Sequence, residues 1–173
     1  HEDKTHVLLT KLAEGELDAL ILPWLEDMEK FERYDLFKEP FTMASSKQHP
    51  FSNKKQITLA DLADHNILTL EDGHCLRDQA MGYCFSAGAN EDQSFRATSL
   101  ETLRYMVASN MGVTLLPELA ALNRVNDENI CYIPFKSPKP MRQISLLIRQ
   151  GYSRMACIRK VVSSVQGSVD GLF

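Results

Sequence analysis

Short apolar runs of strand length alternate with segments of helical periodicity along the chain, and this alternation constrains the fold more than any other feature. The first pair is a helical pattern over residues 4–14 followed by an apolar run over residues 17–22. Strands separated by helices of ordinary length predict βαβ units and a mostly parallel sheet, so we expect an α/β protein. Further strands are expected at 67–70, 95–98, 113–116, 130–135 and 143–148, and further helices at 76–87, 99–109, 117–122 and 153–166.

Two proline-containing junctions suggest how the alternating elements are divided. Two extended segments over residues 34–46 meet at Glu39-Pro40, and a stiff connection covers residues 137–140. These junctions predict two Rossmann-like lobes joined by two hinge strands. The first lobe would comprise residues 1–38 plus 143–173, and the second would comprise residues 39–142. In such an architecture a ligand binds in the cleft between the lobes.

Composition narrows the class of protein. A net charge of −4 over 173 residues argues against this chain binding nucleic acid by itself, because phosphate binding needs a concentrated basic surface. The sequence contains no apolar run long enough for a membrane span and no signal-peptide core at its charged start, so we expect a cytoplasmic location and no membrane partner. The four cysteines form no CxxC pair and no zinc-finger spacing. We therefore expect no metal and no cofactor, and we expect Cys131 and Cys157 to be small buried apolar residues.

The segment around Cys75 could carry redox chemistry. Cys75 follows a Gly73-His74 turn after a strand and precedes a helix. Backbone amides at a helix N-terminus favour a thiolate, and His74 and Arg77 are neighbouring cations that would act in the same direction. An accessible thiolate attacks peroxide and becomes a sulfenic acid. The alternative is an ordinary half-buried cysteine at a helix start, and local chemistry leaves both interpretations open.

A second cysteine, Cys84, follows nine residues later. A continuous helix would separate Cys75 and Cys84 by about 13.5 Å and place them on roughly opposite faces. A disulfide needs Cα atoms within about 7 Å, so the pair could join only if the helix unwound. Gly82 and Gly88 would weaken the helix and ease that change. The spacing alone is also compatible with two unrelated cysteines.

Three segments carry a resemblance to a known family: GHCLRDQAMGYCF at 73–85, FRATSLETLR at 95–104 and GVTLLPELA at 112–120. Together they resemble the peroxide-sensing LysR-type transcription regulators, from about Thr5 to the last helix. The resemblance implies a LysR-type effector domain, which is similar in fold to periplasmic binding proteins. Such domains open with a strand and a helix that we do not find before Thr5, so we expect the first lobe to be N-terminally truncated.

The same resemblance implies roles for individual residues. Cys75 matches the peroxidatic cysteine and Cys84 matches its resolving partner. Four further residues match positions that surround the peroxide: Thr5, His74, Asp78 and Arg142. Without the resemblance Thr5 could be a locally satisfied helix-start residue, Arg142 a solvated charge at a strand end, and Asp78 an exposed first-turn acid.

The implied function is that of a sensor and not of an enzyme. Hydrogen peroxide would oxidise the cysteine pair, a thiol-disulfide reductant would reset it, and the domain would act as a homodimer or homotetramer to activate antioxidant genes. Promoter DNA would be contacted only through a helix-turn-helix domain absent from this sequence, and RNA polymerase would meet the intact protein. Three alternatives stay open: an effector domain that binds a small organic ligand between its lobes, a thiol peroxidase, and a redox-inert fragment.

Overall fold

The structure is a computed structural model, and it describes residues 1, 3–25, 28–122, 124 and 127–173. Helices and strands alternate through most of this part of the chain, as the sequence predicts. The helices are α1 (Thr5–Glu14), α2 (Cys75–Ser86), α3 (Leu100–Ala108), α4 (Glu118–Leu122) and α5 (Met155–Val169). The strands are β1 (Leu20–Pro23), β2 (Glu32–Ser46), β3 (Asn66–Leu70), β4 (Asn90–Ala97), β5 (Thr114–Pro117), β6 (Ile130–Pro134) and β7 (Met141–Ile148).

The chain divides into two compact units. Unit 1 comprises His1–Glu39 with Arg142–Phe173, and unit 2 comprises Pro40–Met141. The boundaries expected from the sequence differ by one residue at each junction, because Glu39 and Arg142 both belong to unit 1. β2 runs through one of these junctions as a single strand, whereas the sequence suggested two extended segments. Pro40 fits inside it because the fixed φ of proline suits an extended backbone where no ladder N–H is needed.

Unit 1 packs helices on both faces of a small sheet. β1 pairs with β7 in antiparallel register, from Leu20 opposite Leu147 to Pro23 opposite Ile144. Because side chains alternate along a strand, Leu147 and its neighbours Leu146 and Ile148 enter different cores. Leu147 packs with Leu12 of α1, and the neighbours pack with Ile158 of α5. Helix α1 ends at Glu14, and the next residue, Gly15, has a φ of 86°, the left-handed conformation that favours glycine after a helix.

Unit 2 contains the larger core. The second half of β2 lies between β5 and β6, and it is antiparallel to both. A separate parallel pair, β3 and β4, packs against α2 and α3. Local signals in the sequence mark the helix starts here, since Ser99 accepts from the Thr102 N–H at the start of α3.

Among the described helices none is long and apolar enough to cross a membrane.

The expectation of a mostly parallel sheet is wrong. Of the described strand pairings whose register is known, three are antiparallel and one is parallel, with two further isolated parallel bridges, and β2 also pairs with β7. β1, near the start of the chain, pairs with β7, near its end. The alternation of helices and strands in a sequence determines neither the partner nor the direction of each strand, and these pairings join segments far apart in the chain.

Candidate redox site

The amino end of α2 forms at the carboxyl edge of the β3–β4 pair. β3 ends at Leu70, and the next backbone N–H, that of Glu71, donates to the Ala97 carbonyl at the end of β4 at 2.9 Å. Gly73 then turns the chain with a φ of 91°, in the left-handed region that favours glycine. His74 has extended backbone angles and is the N-cap, so the helix begins at Cys75. The carboxyl edge of parallel strands is where α/β proteins place their sites.

Cys75 is half-buried at this helix end. No side chain caps the amino end of α2, so no side-chain oxygen competes there for the first-turn amides among the described residues. His74 is also half-buried, and its Nε2 lies 4.0 Å from a carboxylate oxygen of Glu71. The Cys75 thiol therefore lies at the positive end of a helix, next to an imidazole that faces a carboxylate.

Arg77 does not act as the unpaired cation that the sequence suggested. Its Nε and Nη2 donate to the two carboxylate oxygens of Glu91 at 2.9 and 2.7 Å, and its Nη1 lies 3.2 Å from Asp72. Glu91 belongs to β4 and is almost fully buried, with 6% of its side chain exposed. It also accepts from the Thr69 hydroxyl at 2.8 Å. The Arg77 guanidinium therefore ties α2 to β4 instead of supplying a free positive charge to Cys75.

Asp78 lies in the first turn of α2 and belongs to the same polar network. Its carboxylate accepts from Arg77 Nη1 at 3.0 Å, and 60% of its side chain is exposed. Asp78 is therefore an exposed first-turn acid that is also hydrogen-bonded to its neighbour, and its place beside the peroxide stays a prediction. Its contact with Arg77 adds a further negative charge to a cluster that already includes Glu91 and Asp72.

Cys84 lies on the same helix and is fully buried in the core of unit 2. Burial raises the pKa of the Cys84 thiol to about 12, so it is protonated at neutral pH. Helix α2 is continuous from Cys75 to Ser86, and both cysteines are free thiols. The nine-residue separation along that helix, about 13.5 Å, prevents a disulfide while the helix stands.

Gln79 is a polar residue of this helix that the sequence analysis missed. Its side-chain oxygen, Oε1, is buried and has no hydrogen-bond partner in the described part of the chain. Gln79 lies four residues after Cys75, so the two side chains share one face of α2. This spacing was available in the sequence. The structure draws attention to Gln79 because a buried acceptor without a hydrogen-bond partner is rare in proteins.

Thr5 and Arg142 belong to unit 1, whereas His74, Cys75, Asp78 and Cys84 belong to unit 2. Thr5 is the first residue of α1 and is half-buried, and within the described residues its hydroxyl makes no hydrogen bond. Arg142 is not a solvated charge. Its Nε and Nη2 lie 2.8 and 2.7 Å from one carboxylate oxygen of Glu39, whose side chain is 1% exposed.

The remaining cysteines are free thiols in different surroundings. Cys131 is half-buried in β6, where we expected a buried residue. Cys157 is exposed, so its predicted burial is wrong. The apolar stripe of α5 follows Ile158, Val162 and Val165, and Cys157 lies one residue off that stripe. The described residues contain no group of three or more His, Cys, Asp or Glu side chains that could hold a metal ion.

Comparison with known proteins assigns this chain to a family. The chain belongs to the LysR substrate binding domain family, which it matches over residues 1–169. It is 46% identical over 173 residues to the DNA-binding transcriptional dual regulator OxyR of Escherichia coli K12. It is 44% identical over 171 residues to the hydrogen peroxide-inducible genes activator of Pectobacterium carotovorum. These alignments cover 100% and 99% of this chain but 57% of each relative, so the chain spans little more than half their length.

Solved structures agree with this assignment. A reduced form of OxyR superposes with a TM-score of 0.90 at 43% identity, covering all of this chain and 81% of the other. An oxidised form superposes with a TM-score of 0.89 at 46% identity, covering all of this chain and 82% of the other. The hydrogen-peroxide-bound C206S mutant of Corynebacterium glutamicum OxyR, at 27% identity, gives 0.89 over 98% of this chain and 54% of that one. The α/β fold class and the family that the sequence predicted are confirmed, although the sheet is not mostly parallel.

Proposed function

We propose that this chain is the hydrogen-peroxide-sensing regulatory domain of a transcription activator, with Cys75 as the residue oxidised first and Cys84 as its resolving partner. The observation that carries the proposal is the arrangement of α2. A half-buried thiol lies at its uncapped amino end and a fully buried thiol lies nine residues later, in a chain closely similar to peroxide-inducible activators. The relatives are transcription regulators, and we infer that this domain too is a sensor and not an enzyme.

The chemistry proceeds in two balanced steps. The Cys75 thiol and hydrogen peroxide give the Cys75 sulfenic acid and one water. The sulfenic acid and the Cys84 thiol then give the Cys75–Cys84 disulfide and a second water. An external dithiol returns two electrons and two protons to reset the pair. Cys84 is buried and lies nine residues from Cys75 on an unbroken helix, so the second step requires that α2 open.

Hydrogen peroxide needs partners for two O–H donors and for its lone pairs. His74 borders the thiol, and the unpartnered Oε1 of Gln79 is an acceptor one turn away on the same helix face. Asp78 contributes to the polar network at the same end of α2. The assignment of Thr5 and Arg142 to the peroxide site rests on the resemblance of their surrounding sequence to the family, and we propose it on that ground alone.

The remaining partners follow from the same reasoning. We propose that the domain assembles as a homodimer or homotetramer in the cytoplasm. The acidic balance of this chain favours promoter binding through another part of the regulator, a helix-turn-helix domain, and RNA polymerase as a partner of the intact protein.

Mass spectrometry after mild oxidation tests the proposal. Reduced protein is treated with a few equivalents of hydrogen peroxide, and intact mass is combined with peptide mapping. We expect a loss of two hydrogens that maps to a Cys75–Cys84 bridge. Cys75→Ser should show no bridge, and Cys84→Ser should stop at a single added oxygen on Cys75. Cys157→Ser removes the exposed thiol and should behave as the parent does.

Two results would contradict the proposal. Free thiols at both Cys75 and Cys84 after this treatment would show that the helix is not a peroxide switch. Oxidation confined to Cys157, with α2 untouched, would show that exposure alone decides reactivity. Binding of a small organic ligand with the same affinity to the parent and to Cys75→Ser would then favour the ligand-binding alternative.

A further inference from the structure

Tyr83, the residue before Cys84, is hydrogen-bonded to the start of β7. Its hydroxyl donates to the Met141 carbonyl at 2.8 Å and accepts from the Met141 N–H at 3.2 Å. Both residues belong to unit 2. A single phenol therefore satisfies both backbone groups of the first residue of β7, and it does so from the helix that carries the two cysteines.

The Tyr83 ring and the neighbouring backbone also make contacts that do not involve the Tyr83 hydroxyl. The Tyr83 ring meets the buried Phe41 ring edge to face, with centroids 6.1 Å apart. Phe41 in turn donates its backbone N–H to the Pro140 carbonyl at 2.8 Å. Removing only the Tyr83 hydroxyl would leave the ring contact and the Phe41 bond in place. Among the described residues, the Tyr83 hydroxyl makes the hydrogen bonds that join α2 to Met141.

We infer that Tyr83 is a positioning residue that latches α2 to the start of β7 and so sets how readily the Cys75–Cys84 disulfide forms. The inference rests on the proposed function. Tyr83 lies inside the segment that the disulfide would close, between Cys75 and Cys84. Unwinding α2 to bring the two sulfurs together moves the Tyr83 backbone, and both hydrogen bonds to Met141 break. Arg142 follows Met141 directly, so the release occurs one residue from the Arg142–Glu39 ion pair.

The latch acts on one step of the chemistry only. Formation of the Cys75 sulfenic acid leaves α2 helical, so the Tyr83 hydroxyl does not affect it. Condensation of that sulfenic acid with the Cys84 thiol, which releases water, requires the helix to open. Loss of the two hydrogen bonds destabilises the closed helix and speeds the second step.

Tyr83→Phe separates the two steps. The rate of sulfenic acid formation is measured in the Cys84→Ser background with a sulfenic-acid trapping reagent, and the rate of bridge formation is measured in the parent background. We expect an unchanged first rate and a second rate about five- to tenfold faster, the effect of losing roughly one net hydrogen bond. Hydrogen exchange at the Met141 amide gives a direct structural readout. That exchange should be faster in reduced Tyr83→Phe than in the reduced parent, whereas exchange at the Phe41 amide should not change.

Two matched variants test whether a faster bridge comes from loss of the Tyr83 hydrogen bonds or from a general loss of stability. Tyr132→Phe removes a buried hydroxyl that has no hydrogen-bond partner within the described residues. Thr114→Val removes a buried hydrogen bond to the Leu68 carbonyl, 2.7 Å long, in the same unit. Both should form the bridge at the parent rate.

Each other outcome overturns the inference. Equal bridge rates in the parent and Tyr83→Phe, or the same acceleration in Thr114→Val, would show that the hydroxyl is not a latch. Faster sulfenic acid formation in Tyr83→Phe would place the effect at Cys75 instead. A parent that forms no bridge at all would contradict the proposed function as well, whereas the first two results leave that function intact.

Discussion

Cys75 and Cys84 lie at opposite ends of one unbroken helix. Cys75 is the first residue of α2, and Cys84 lies nine residues, or about two and a half turns, further on. Their thiols also differ in surroundings, since Cys75 is half-buried and Cys84 is fully buried. Joining the two sulfurs in a disulfide requires that α2, which packs against the core, unwind. A small chemical event thereby becomes a change of structure, which is the property a sensor needs.

Stiffening α2 should slow the switch. Gly82 is exposed within α2, and a Cβ there would meet nothing within 4 Å. Gly82→Ala should stabilise the helix by about 1 kcal/mol, because alanine loses less backbone entropy than glycine. Disulfide formation from the Cys75 sulfenic acid should become several-fold slower, measured by quenched-flow thiol trapping.

Gly167 supplies the matched control for this change. It lies within α5 and is equally open, with nothing within 4 Å of an added Cβ. Gly167→Ala should raise helix stability in unit 1 without changing the rate of bridge formation. An equal slowing in both variants would mean that global stability, and not the opening of α2, limits the second step.

The buried thiol of Cys84 should make stability depend on pH in alkaline solution. Burial raises its pKa from the ordinary 9.0 to about 12 in the folded state. A folded pKa above the unfolded one contributes stability that is fully present below about pH 9 and is lost as pH rises towards 12. Relative to Cys84→Ala, the parent should lose up to about 1.4 kcal/mol of unfolding free energy per pH unit above pH 9. Denaturant titrations of both proteins from pH 8 to 11 measure this difference, and parallel pH curves would contradict it.

Replacing Gln79 by leucine should stabilise the fold and slow the oxidation of Cys75. Gln79→Leu removes the side-chain amide with its unpartnered, buried oxygen and should stabilise the fold by about 1 kcal/mol. If that oxygen accepts a hydrogen bond from peroxide, sulfenic acid formation at Cys75 should become about tenfold slower. Ser45 provides the control, because its hydroxyl is also buried without a partner among the described residues. Ser45→Ala should gain stability and keep the parent rate, and an unchanged rate in Gln79→Leu would remove Gln79 from the site.

The pairing of Arg142 with Glu39 should contribute strongly to stability. Arg142→Met leaves a carboxylate that is 1% exposed without its guanidinium and should cost about 3 kcal/mol in unfolding free energy. Glu39→Gln keeps a side-chain acceptor and should cost less. A double-mutant cycle measured by urea unfolding gives the coupling energy between the two side chains. A coupling near zero would contradict a direct role of the pair.

Local features of the site could be predicted from the sequence because local chemistry determines them. The Gly73-His74 turn and the helix start at Cys75 both depend on neighbouring residues. Five polar residues at 90–94 gave no apolar pattern, so the first part of β4 was missed. That strand is held by its backbone ladder to β3 and by the contacts of Glu91 with Thr69 and Arg77.

The long-range contacts could not be predicted in the same way. Arg77 reads in the sequence as a free cation beside Cys75, but Glu91 lies fourteen residues away and neutralises it. In the sequence Tyr83 is only an aromatic residue next to Cys84, because its partner Met141 is 58 residues distant. Spacing along one helix indicates which side chains share a face, whereas the partner on another element depends on the tertiary fold.

Hydrogen exchange of α2 in the bridged protein tests whether the disulfide forms by unwinding this helix. Peptides covering residues 75–86 are followed by mass spectrometry in the reduced protein and in peroxide-treated protein in which the Cys75–Cys84 bridge has been verified. We expect the backbone amides of this segment to be protected in the reduced state and to lose most of that protection once the bridge forms. A bridged protein in which the segment keeps its full protection would contradict the claim that the disulfide forms by unwinding α2.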